Sequence, residues 1–284
     1  MNTTEKVKDP LADLSVVLYY LNLDRDIVRR EDMERQAKEH GIVLHRIPGV
    51  LGSDLKSEDL TSYDAKRRMR IMTTQIGAGE QGCILSHLKA MKTFLASEAE
   101  YAVIFEDDAD ILPGFAENLR YIIKHTSGWG YVKLYSEPTK MFESPKNPEG
   151  ARVKLAFHKK LPWGAVGYML TRNAAQKLLK LFEKGYWLTY DVQLSYFLMR
   201  YDIPSPGVMG NIVSTHFPFS EESAIDNVEA RRDETRSVMN PKLQKKRGPI
   251  GKFLRYLNYR WHTWTMSYLK QRGRRTLAKA LKFR

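Results

Sequence analysis

YAVIFEDDAD, residues 101–110, joins five apolar residues directly to four carboxylates within the next five positions. A continuous apolar run of this length is typical of a strand that is buried on both faces of a sheet. In open α/β sheets, ligands bind at the carboxyl ends of the strands, which is where Glu106 begins the acidic run. The segment therefore predicts an α/β fold with a polar site at this strand end.

The residues before this segment predict the start of the same sheet. Residues 15–21 predict a first buried strand, 27–40 a charged helix and 42–47 a second strand. A glycine-rich loop is expected at 77–82, followed by a helix over 83–97 with its apolar residues on one face. The order strand, helix, strand is how an α/β sheet begins.

The rest of the chain predicts further elements and a division into three parts. Strands are expected at 131–135, 165–170 and 207–215, and helices at 114–125, 173–183 and from Asp191 onward. We expect a catalytic domain over 1–225, a charged linker over 226–248 and a basic amphipathic helical tail over 249–284.

The acidic run has two interpretations. Neighbouring carboxylates repel one another, which raises the pKa of at least one of them unless a cation lies among them. A hard cation such as Mg²⁺ or Mn²⁺ takes oxygen ligands and bridges carboxylates to substrate phosphates, so this strand end predicts a nucleoside-diphosphate site. The alternative is an acidic surface turn that caps the helix expected after Pro113.

Positive charge is concentrated at the C-terminal end. The net charge is +13, and 14 of the 46 Lys and Arg lie within 242–284, which contains no Asp or Glu. Apolar and aromatic residues recur at helical spacing from Ile250 to Tyr268, a pattern typical of helices that lie on membranes.

The tail suggests several partners. An anionic membrane surface is the favoured one. Packing on the catalytic domain and packing on a second copy in a homodimer are the alternatives. Nucleic acid is disfavoured, because the basic residues lie in the tail rather than over the folded domain.

Cysteine content and the N-terminus predict a compartment. Cys83 is the only cysteine, so no internal disulfide can form, which favours a reducing environment. Cys83 itself is expected to be a small buried hydrophobe rather than a nucleophile. Residues 1–11 show no signal peptide, and no apolar run reaches the ~18 residues of a spanning helix. Together with the basic tail, these features predict a cytoplasmic protein that lies peripherally on an anionic membrane face.

Five ordered blocks lie between residues 15 and 225. They are Leu21-Asn22-Leu23-Asp24-Arg25 with Arg29-Arg30, Glu80-Gln81-Gly82-Cys83 with Leu85-Ser86-His87, Val103-Ile104-Phe105-Glu106-Asp107-Asp108, Trp163-Gly164 with Gly167-Tyr168, and Asp191-Val192-Gln193-Leu194. Together they resemble glycosyltransferase family 25, the bacterial lipooligosaccharide galactosyltransferases and their collagen-modifying relatives.

This resemblance implies a fold and a reaction. The fold is a GT-A-like, Rossmann-type mixed sheet with helices on both faces. The reaction is an inverting transfer of a hexose from a UDP-sugar, usually UDP-galactose and sometimes UDP-glucose. The expected acceptor is a core sugar of lipooligosaccharide or lipopolysaccharide, a lipid-linked oligosaccharide. The expected cation is Mn²⁺ or Mg²⁺.

The metal ligands are expected in and after the acidic run. Asp110 is not part of the family block, so the working pair is either Glu106 with Asp108 or Asp108 with Asp110, and Asp108 belongs to both. A late histidine often completes the metal shell in related GT-A enzymes, which implies that role for His216. The alternative is a hydrogen-bonded histidine beside Phe217.

One residue is expected to act on the acceptor. An inverting transfer needs a general base beside the attacking hydroxyl. Asp191 is the candidate for this base, and a helix N-cap is its alternative role. Trp163, Trp187 and Tyr190 are expected either to stack on the acceptor sugar or to pack in the core.

Residues expected to bind the donor nucleotide come from three segments. They are Asn22, Asp24, Arg25, Glu80, Ser86, His87, Glu106 and Asp107. Capping of the helix start is the alternative role for Glu80. Ser86 and His87 lie on or near the helix face opposite Leu88, so they need not belong to the core.

Overall fold

The structure is a computed structural model. It describes residues 9–72, 74–135, 147–158, 164–215 and 279–283, the backbone of 141–143, and the single residues Leu257, Trp264 and Tyr268.

Twelve strands lie within these ranges. They are β1 Val16–Asn22, β2 His45–Pro48, β3 Tyr101–Glu106, β4 Ala109–Ile111, β5 Thr126–Ser127, β6 Tyr131–Lys133, β7 Met141–Glu143, β8 Lys154–His158, β9 Gly167–Thr171, β10 Gly207–Met209, β11 Val213–Thr215 and β12 Lys282–Phe283.

The same ranges contain six α-helices and two 3₁₀ turns. The helices are α1 Ile27–Glu39, α2 Ala65–Ile71, α3 Ala78–Ala96, α4 Phe115–His125, α5 Arg172–Lys184 and α6 Tyr190–Arg200, and the turns are Gly52–Asp54 and Ser57–Leu60.

Eight strands form one mixed sheet in the order β2-β1-β3-β9-β6-β10-β8-β7. Strands β2, β1 and β3 run parallel, whereas β9 runs antiparallel to both β3 and β6. The register of β1 and β3 places Leu21 beside Glu106. Asn22 and the acidic run therefore leave the sheet at the same edge.

The side chains of β1 alternate between the two faces of the sheet, and each face is covered by a layer of helices. Successive strand residues point to opposite faces. Tyr19 and Leu21 of β1 pack with α3, α5 and α6 in one apolar cluster, while Leu18 and Tyr20 pack with α1 and α4 in another. The prediction of an α/β mixed sheet with helices on both faces is confirmed.

The predicted glycine-rich loop at 77–82 is wrong. Helix α3 begins at Ala78, and Gly77 is its N-cap. A Cβ on Gly82 would lie 2.4 Å from the carbonyl oxygen of Val50 and 2.9 Å from the amide nitrogen of Gly52. Gly82 is therefore explained by close approach between the helix and the Gly52–Asp54 turn, not by loop freedom.

Several features were not expected from the sequence, among them strands β5, β7, β8 and β12. Helix α2 and the two 3₁₀ turns lie between β2 and α3. The acidic run does not lead straight to a helix but continues into β4, which pairs with β11 in a separate two-stranded sheet. Asp110 is the middle residue of β4 and lies opposite Ser214.

The end of the chain packs on the α/β fold. Leu281 is fully buried in the apolar cluster that contains α4, and β12 pairs antiparallel with β5. The predicted helix up to residue 284 is therefore wrong at its end, where Lys282 and Phe283 are extended. Leu257, Trp264 and Tyr268 are helical and exposed. Among the described residues, no helix is long and apolar enough to cross a membrane.

Candidate active site

Asp107 is held at the strand end by two side chains from the first block. Asn22 donates from Nδ2 to Asp107 Oδ2 at 2.8 Å, and Arg29 donates from Nη1 to Oδ1 at 3.0 Å. Burial raises the pKa of Asp107, while Asn22 and Arg29 oppose that rise. The end of the first strand thus meets the acidic run.

Arg46 fixes the orientation of Asn22. Its Nε donates to Asn22 Oδ1 at 3.0 Å, and its Nη2 donates to the Asn22 carbonyl oxygen at 3.1 Å. The same guanidinium pairs with Asp24. Because Asn22 Oδ1 accepts from Arg46, its Nδ2 is directed to Asp107.

Asp108 is the unusual carboxylate of the run. Its Oδ1 is buried and has no hydrogen-bond partner among the described residues. Burial, followed by the charges of Glu106 and Asp107, raises the pKa of Asp108 to about 7. The expected rise of one carboxylate pKa in this run is confirmed. A cation is the group that would satisfy this oxygen and offset the repulsion.

Glu106 begins a buried chain of hydrogen bonds. Glu106 Oε1 lies 3.3 Å from His87 Nε2, and His87 Nδ1 lies 2.9 Å from the Tyr168 hydroxyl. The Tyr168 hydroxyl lies 2.8 Å from that of Tyr190. The chain links the acidic run on β3 to α3, β9 and α6.

His87 is buried at the centre of this chain. Its exposure is 0%, and its ring stacks on Tyr190 with a centroid distance of 3.7 Å and an interplanar angle of 0°. Burial lowers the pKa of His87 to about 3. The imidazole is therefore neutral near neutral pH, with one ring nitrogen donating and the other accepting.

Ser86 and His87 belong to the core, a placement that the sequence left open. Both are buried, because the Gly52–Asp54 turn packs against α3 and the His87 ring lies against Tyr168 of β9 and Tyr190 of α6. Ser86 donates to the carbonyl of Gly82 at 2.7 Å and accepts from the amide of Val50 at 2.8 Å. Its described contacts therefore hold backbone in place.

Asp191 lies in the first turn of α6 and accepts three hydrogen bonds. Oδ2 accepts from the amide of Gly164 at 2.9 Å, and Oδ1 accepts from Thr189 Oγ1 at 3.0 Å and from the amide of Val192 at 2.9 Å. The N-cap position belongs to Thr189, so the N-cap alternative for Asp191 is wrong by two residues.

Asp191 faces the same buried cluster as the acidic run. Burial lowers the pKa of His87, and the charge of Asp191 opposes that change. Burial, followed by the charges of Asp191 and Glu106, raises the pKa of Tyr131. Lys133, only 2% exposed, donates from Nζ to the Gly164 carbonyl at 2.5 Å. Gly164 therefore connects a buried cation with the candidate base.

Other predicted site residues lie apart from this cluster or make different contacts. Glu80 Oε2 accepts from the amide of Gly77 at 3.1 Å, which is the capping role left open for it. The side chain of Arg25 is 55% exposed, and its described ion pair is with Asp26. Asp24 reaches the cluster through Arg46, and Asp110 lies on β4.

Two aromatic candidates belong to the core. Tyr190 is 3% exposed and stacks on His87, while Trp187 is 4% exposed with Arg67 over its ring at 3.3 Å. Stacking of these two rings on a sugar is therefore wrong, and core packing is correct. His216 and Trp163 lie outside the described residues.

Sequence reasoning missed Arg46, Lys133 and Tyr168 as parts of the site. Arg46 and Lys133 are basic residues on buried or edge strands of the main sheet, which is the signal that could have found them. Tyr168 stood in a family block, but its hydroxyl partner on α3 could not be read from a strand pattern.

Two groups of side chains could hold a cation. Asp108, with Glu106 and Asp107 beside it, offers carboxylate oxygens suited to Mg²⁺ or Mn²⁺, and the unpaired buried oxygen of Asp108 fits such an ion. A second group combines Cys83, His87 and Glu106, whose ligand atoms lie within 4.8 Å of one another.

Comparisons with known proteins point to one family. The model of glycosyltransferase family 25, described as an LPS biosynthesis protein family, matches residues 16–194. A glycosyltransferase 25 family member of Drosophila melanogaster is 28% identical over 170 residues, covering 57% of this chain and 27% of that protein.

Two further relatives carry galactosyltransferase names. Procollagen galactosyltransferase 1-B of Xenopus laevis is 26% identical over 195 residues, covering 66% of this chain and 31% of that protein. Human procollagen galactosyltransferase 2 is 24% identical over 184 residues, covering 61% and 29%. The chain spans less than a third of the length of these relatives.

A solved structure shows only a weak likeness. It is a glycosyltransferase involved in the glycosylation of the major capsid of PBCV-1, with a TM-score of 0.34 and 12% identity over 66% of this chain and 76% of that one. The match to the family model spans well over half of the chain and contains both the acidic run and Asp191. The chain belongs to glycosyltransferase family 25.

Proposed function

We propose that this chain is a metal-dependent, inverting glycosyltransferase that moves a hexose from a UDP-sugar to a core sugar of lipooligosaccharide or lipopolysaccharide. Galactose is the donor sugar that we favour, because the procollagen relatives are named galactosyltransferases. The acceptor follows from the description of the family as LPS biosynthesis proteins. UDP-glucose is the alternative donor.

The observation that carries the proposal is the buried, unpaired Oδ1 of Asp108. It lies beside two further carboxylates at the strand end where an α/β sheet binds its ligand. A bound Mn²⁺ or Mg²⁺ there would offset the charge that develops on the leaving diphosphate. Asn22 and Arg29 hold Asp107 at the edge of this site, so the carboxylates stay in place without the cation.

The second group that the proposed reaction needs is a general base, and Asp191 is the candidate. In an inverting transfer, the acceptor hydroxyl attacks the anomeric carbon while the diphosphate leaves from the opposite side. Asp191 takes the hydroxyl proton in this proposal, and its bond from the Gly164 amide fixes the carboxylate plane. Lys133, the last residue of β6, donates to the carbonyl of Gly164 and so holds the backbone at Gly164 against β6.

The test compares two neighbouring carboxylates. Purified protein is screened with a set of UDP-sugars and Mn²⁺ for hydrolysis and for transfer to lipooligosaccharide. We expect Asp108→Asn to lower kcat by about 100-fold or more, the loss seen when a group that stabilises developing charge is removed. Asp110→Asn, on β4, is the matched control.

The two variants separate the possible metal pairs. Full activity and unchanged Mn²⁺ dependence in Asp108→Asn would rule out this metal site. Loss of activity in both variants would assign the pair Asp108 and Asp110 instead of Glu106 and Asp108. The donor that is turned over fastest identifies the sugar.

We also propose that the basic tail holds the protein on the inner face of the inner membrane, in the cytoplasm, where a lipid-linked acceptor is presented. Trp264 and Tyr268 support this, since both are more than half exposed and their rings stack 6.1 Å apart. Each Lys or Arg near an anionic surface contributes about 1 kcal/mol. A homodimer formed through the tail is the alternative.

A further inference from the structure

A second group of potential metal ligands lies between α3 and the end of β3, where the acidic run begins. Cys83 and His87 are four residues apart on this helix, so their side chains share one face. Cys83 Sγ, a ring nitrogen of His87 and a carboxylate oxygen of Glu106 all lie within 4.8 Å of one another. Three ligand types thus converge from two elements, α3 and β3.

The ligand set differs in chemistry from the carboxylates at Asp108. A thiolate, an imidazole and a carboxylate are the ligands that bind Zn²⁺, while Mg²⁺ and Mn²⁺ prefer oxygen alone. Three protein ligands leave one position of a tetrahedral site open. The Glu106 side chain is 30% exposed, so an ion can enter from that side.

The surroundings of His87 match those of a metal-bound histidine. Such a histidine usually gives its second ring N–H to a fixed acceptor, which sets the tautomer and the ring plane. His87 Nδ1 lies 2.9 Å from the Tyr168 hydroxyl, which is itself 2.8 Å from the Tyr190 hydroxyl. The stacked Tyr190 ring keeps the imidazole in one plane.

We propose that Cys83, His87 and Glu106 form a Zn²⁺ site. In this site, His87 binds Zn²⁺ through Nε2 and donates a hydrogen bond from Nδ1 to the Tyr168 hydroxyl. Cys83 binds the ion as the thiolate, after its proton passes to solvent. Glu106 gives up its hydrogen bond with His87 and binds the ion through a carboxylate oxygen. Because Glu106 also belongs to the acidic run, Zn²⁺ at this site makes Glu106 unable to contribute to the site of the Mn²⁺ or Mg²⁺ that binds the UDP-sugar. This consequence, inhibition of transfer by Zn²⁺, rests on the proposed function, while the site itself does not.

Cobalt reports on the site directly. Co²⁺ replaces Zn²⁺ in tetrahedral sites and gives a thiolate-to-cobalt absorption band in the near ultraviolet. Cys83 is the only cysteine of the chain, so the band has one possible source. We expect the full-length protein to show the band, to lose it in Cys83→Ser and to lose it on addition of one equivalent of Zn²⁺.

Variants test the other partners without any sugar nucleotide. We expect His87→Gln to abolish the band and Tyr168→Phe to weaken Zn²⁺ binding by about tenfold, the usual effect of losing an outer hydrogen bond. Asp108→Asn should keep the band. Cobalt binding without a thiolate band, or a Zn²⁺ titration unchanged by Cys83→Ser, overturns the site and leaves His87 as a hydrogen-bonded support for Glu106.

Measurements of sugar transfer in the presence of Zn²⁺ distinguish failure of the Zn²⁺ site from failure of the proposed function. With both correct, Zn²⁺ inhibits the wild type and has at least about tenfold less effect on Cys83→Ser. If no UDP-sugar is turned over, the proposed function fails, while the cobalt band still decides on the Zn²⁺ site.

Discussion

Asp108 illustrates how a site residue can lower the stability of its own fold. Its carboxyl group is pushed toward the protonated form by burial and by Glu106 and Asp107. Between the ordinary pKa of 3.8 and the folded value of about 7, the folded state holds a proton that the unfolded state releases. In the absence of a cation, the contribution of Asp108 to stability therefore falls as pH rises through this window.

The first prediction uses an uncharged replacement. In EDTA, Asp108→Asn should melt above the wild type at about pH 8, and the gap should close toward about pH 4, where both side chains are neutral. Each kcal/mol of difference corresponds to roughly 2–4 °C in Tm. Thermal melts of both proteins across this range check the prediction, and a gap that does not change with pH contradicts it.

Asp191 allows a second prediction at this scale. Asp191→Asn keeps the size of the side chain and an acceptor for the Gly164 amide, but it cannot take a proton. We expect kcat to fall by about 100-fold or more while KM for the UDP-sugar stays within about threefold, the pattern of a lost general base. Thr189→Ala, which removes one bond to the same carboxylate, is the milder control. Equal kcat in Asp191→Asn and wild type would exclude the base role.

At the scale of elements, β4 is positioned by a side chain of α1. Gln36 is 4% exposed, donates from Nε2 to the carbonyl of Ala109 at 3.0 Å and accepts at Oε1 from the amide of Ile111 at 2.7 Å. It pairs with one edge of β4 while β11 pairs with the other. The amide of Gln36 thereby helps to set where the chain goes after Asp108.

Replacing this amide should destabilise the fold. Gln36→Leu leaves a buried N–H and a buried carbonyl of β4 without partners, and each unsatisfied group costs about 1–3 kcal/mol. Urea unfolding measures the loss. Arg35→Ala is the control, since Arg35 is on the same helix with a side chain that is 55% exposed, and exposed ion pairs of this kind contribute little to stability. A loss in Gln36→Leu no larger than that of the control would show that the pairing is not needed.

At the scale of the whole molecule, the chain end ties the basic tail to the catalytic domain. Strand β11 pairs with β4 directly after the acidic run, and β12 pairs with β5 directly after α4. Gly128 permits this contact, because it has φ +79° and a Cβ there would lie 1.8 Å from the carbonyl oxygen of Ala280. The described residues on either side of positions 216–278 are thus both paired with strands of the α/β domain.

Leu281 should carry much of this attachment. Leu281→Ala is expected to lower the free energy of unfolding by about 2–5 kcal/mol, as for other fully buried leucines. Lys282→Ala is the matched control, because its neighbouring side chain is exposed. Urea unfolding of both variants gives the comparison, and equal stability would mean that the chain end does not contribute to the core.

Membrane binding by the basic tail has to be tested with Leu281 left in the core. Deleting 242–284 would remove Leu281 from the core, so substitution is the better test. We expect Trp264→Ala with Tyr268→Ala to weaken binding to anionic vesicles by about tenfold or more, since each ring buries apolar area in the interface. Val28→Ala, on α1 and 79% exposed, is the control. Unchanged vesicle binding, together with loss of a dimer in sedimentation, would favour the homodimer.

Much of the fold could be predicted because its information is local. Continuous apolar runs such as 101–105 predict buried strands, and helical spacing predicts the face that each helix buries. The acidic run could be recognised for the same reason, since four carboxylates after a strand are visible without any partner. Membership of the family was also readable, because the blocks are short and keep their order.

Contacts between distant segments could not be predicted in this way. The bonds that join Asn22 with Asp107 and His87 with Tyr168 span 85 and 81 residues. The burial of His87, the pairing of Gln36 with β4 and the return of Leu281 to the core also depend on which surfaces meet. A sequence pattern reports the preferences of one segment, whereas these contacts are selected by the free energy of packing the whole chain. The sequence by itself therefore determined the main strands and helices, the acidic run and the family. Only the tertiary structure decided that Asp108 Oδ1 is buried without a hydrogen-bond partner among the described residues, because burial and pairing depend on which segments meet.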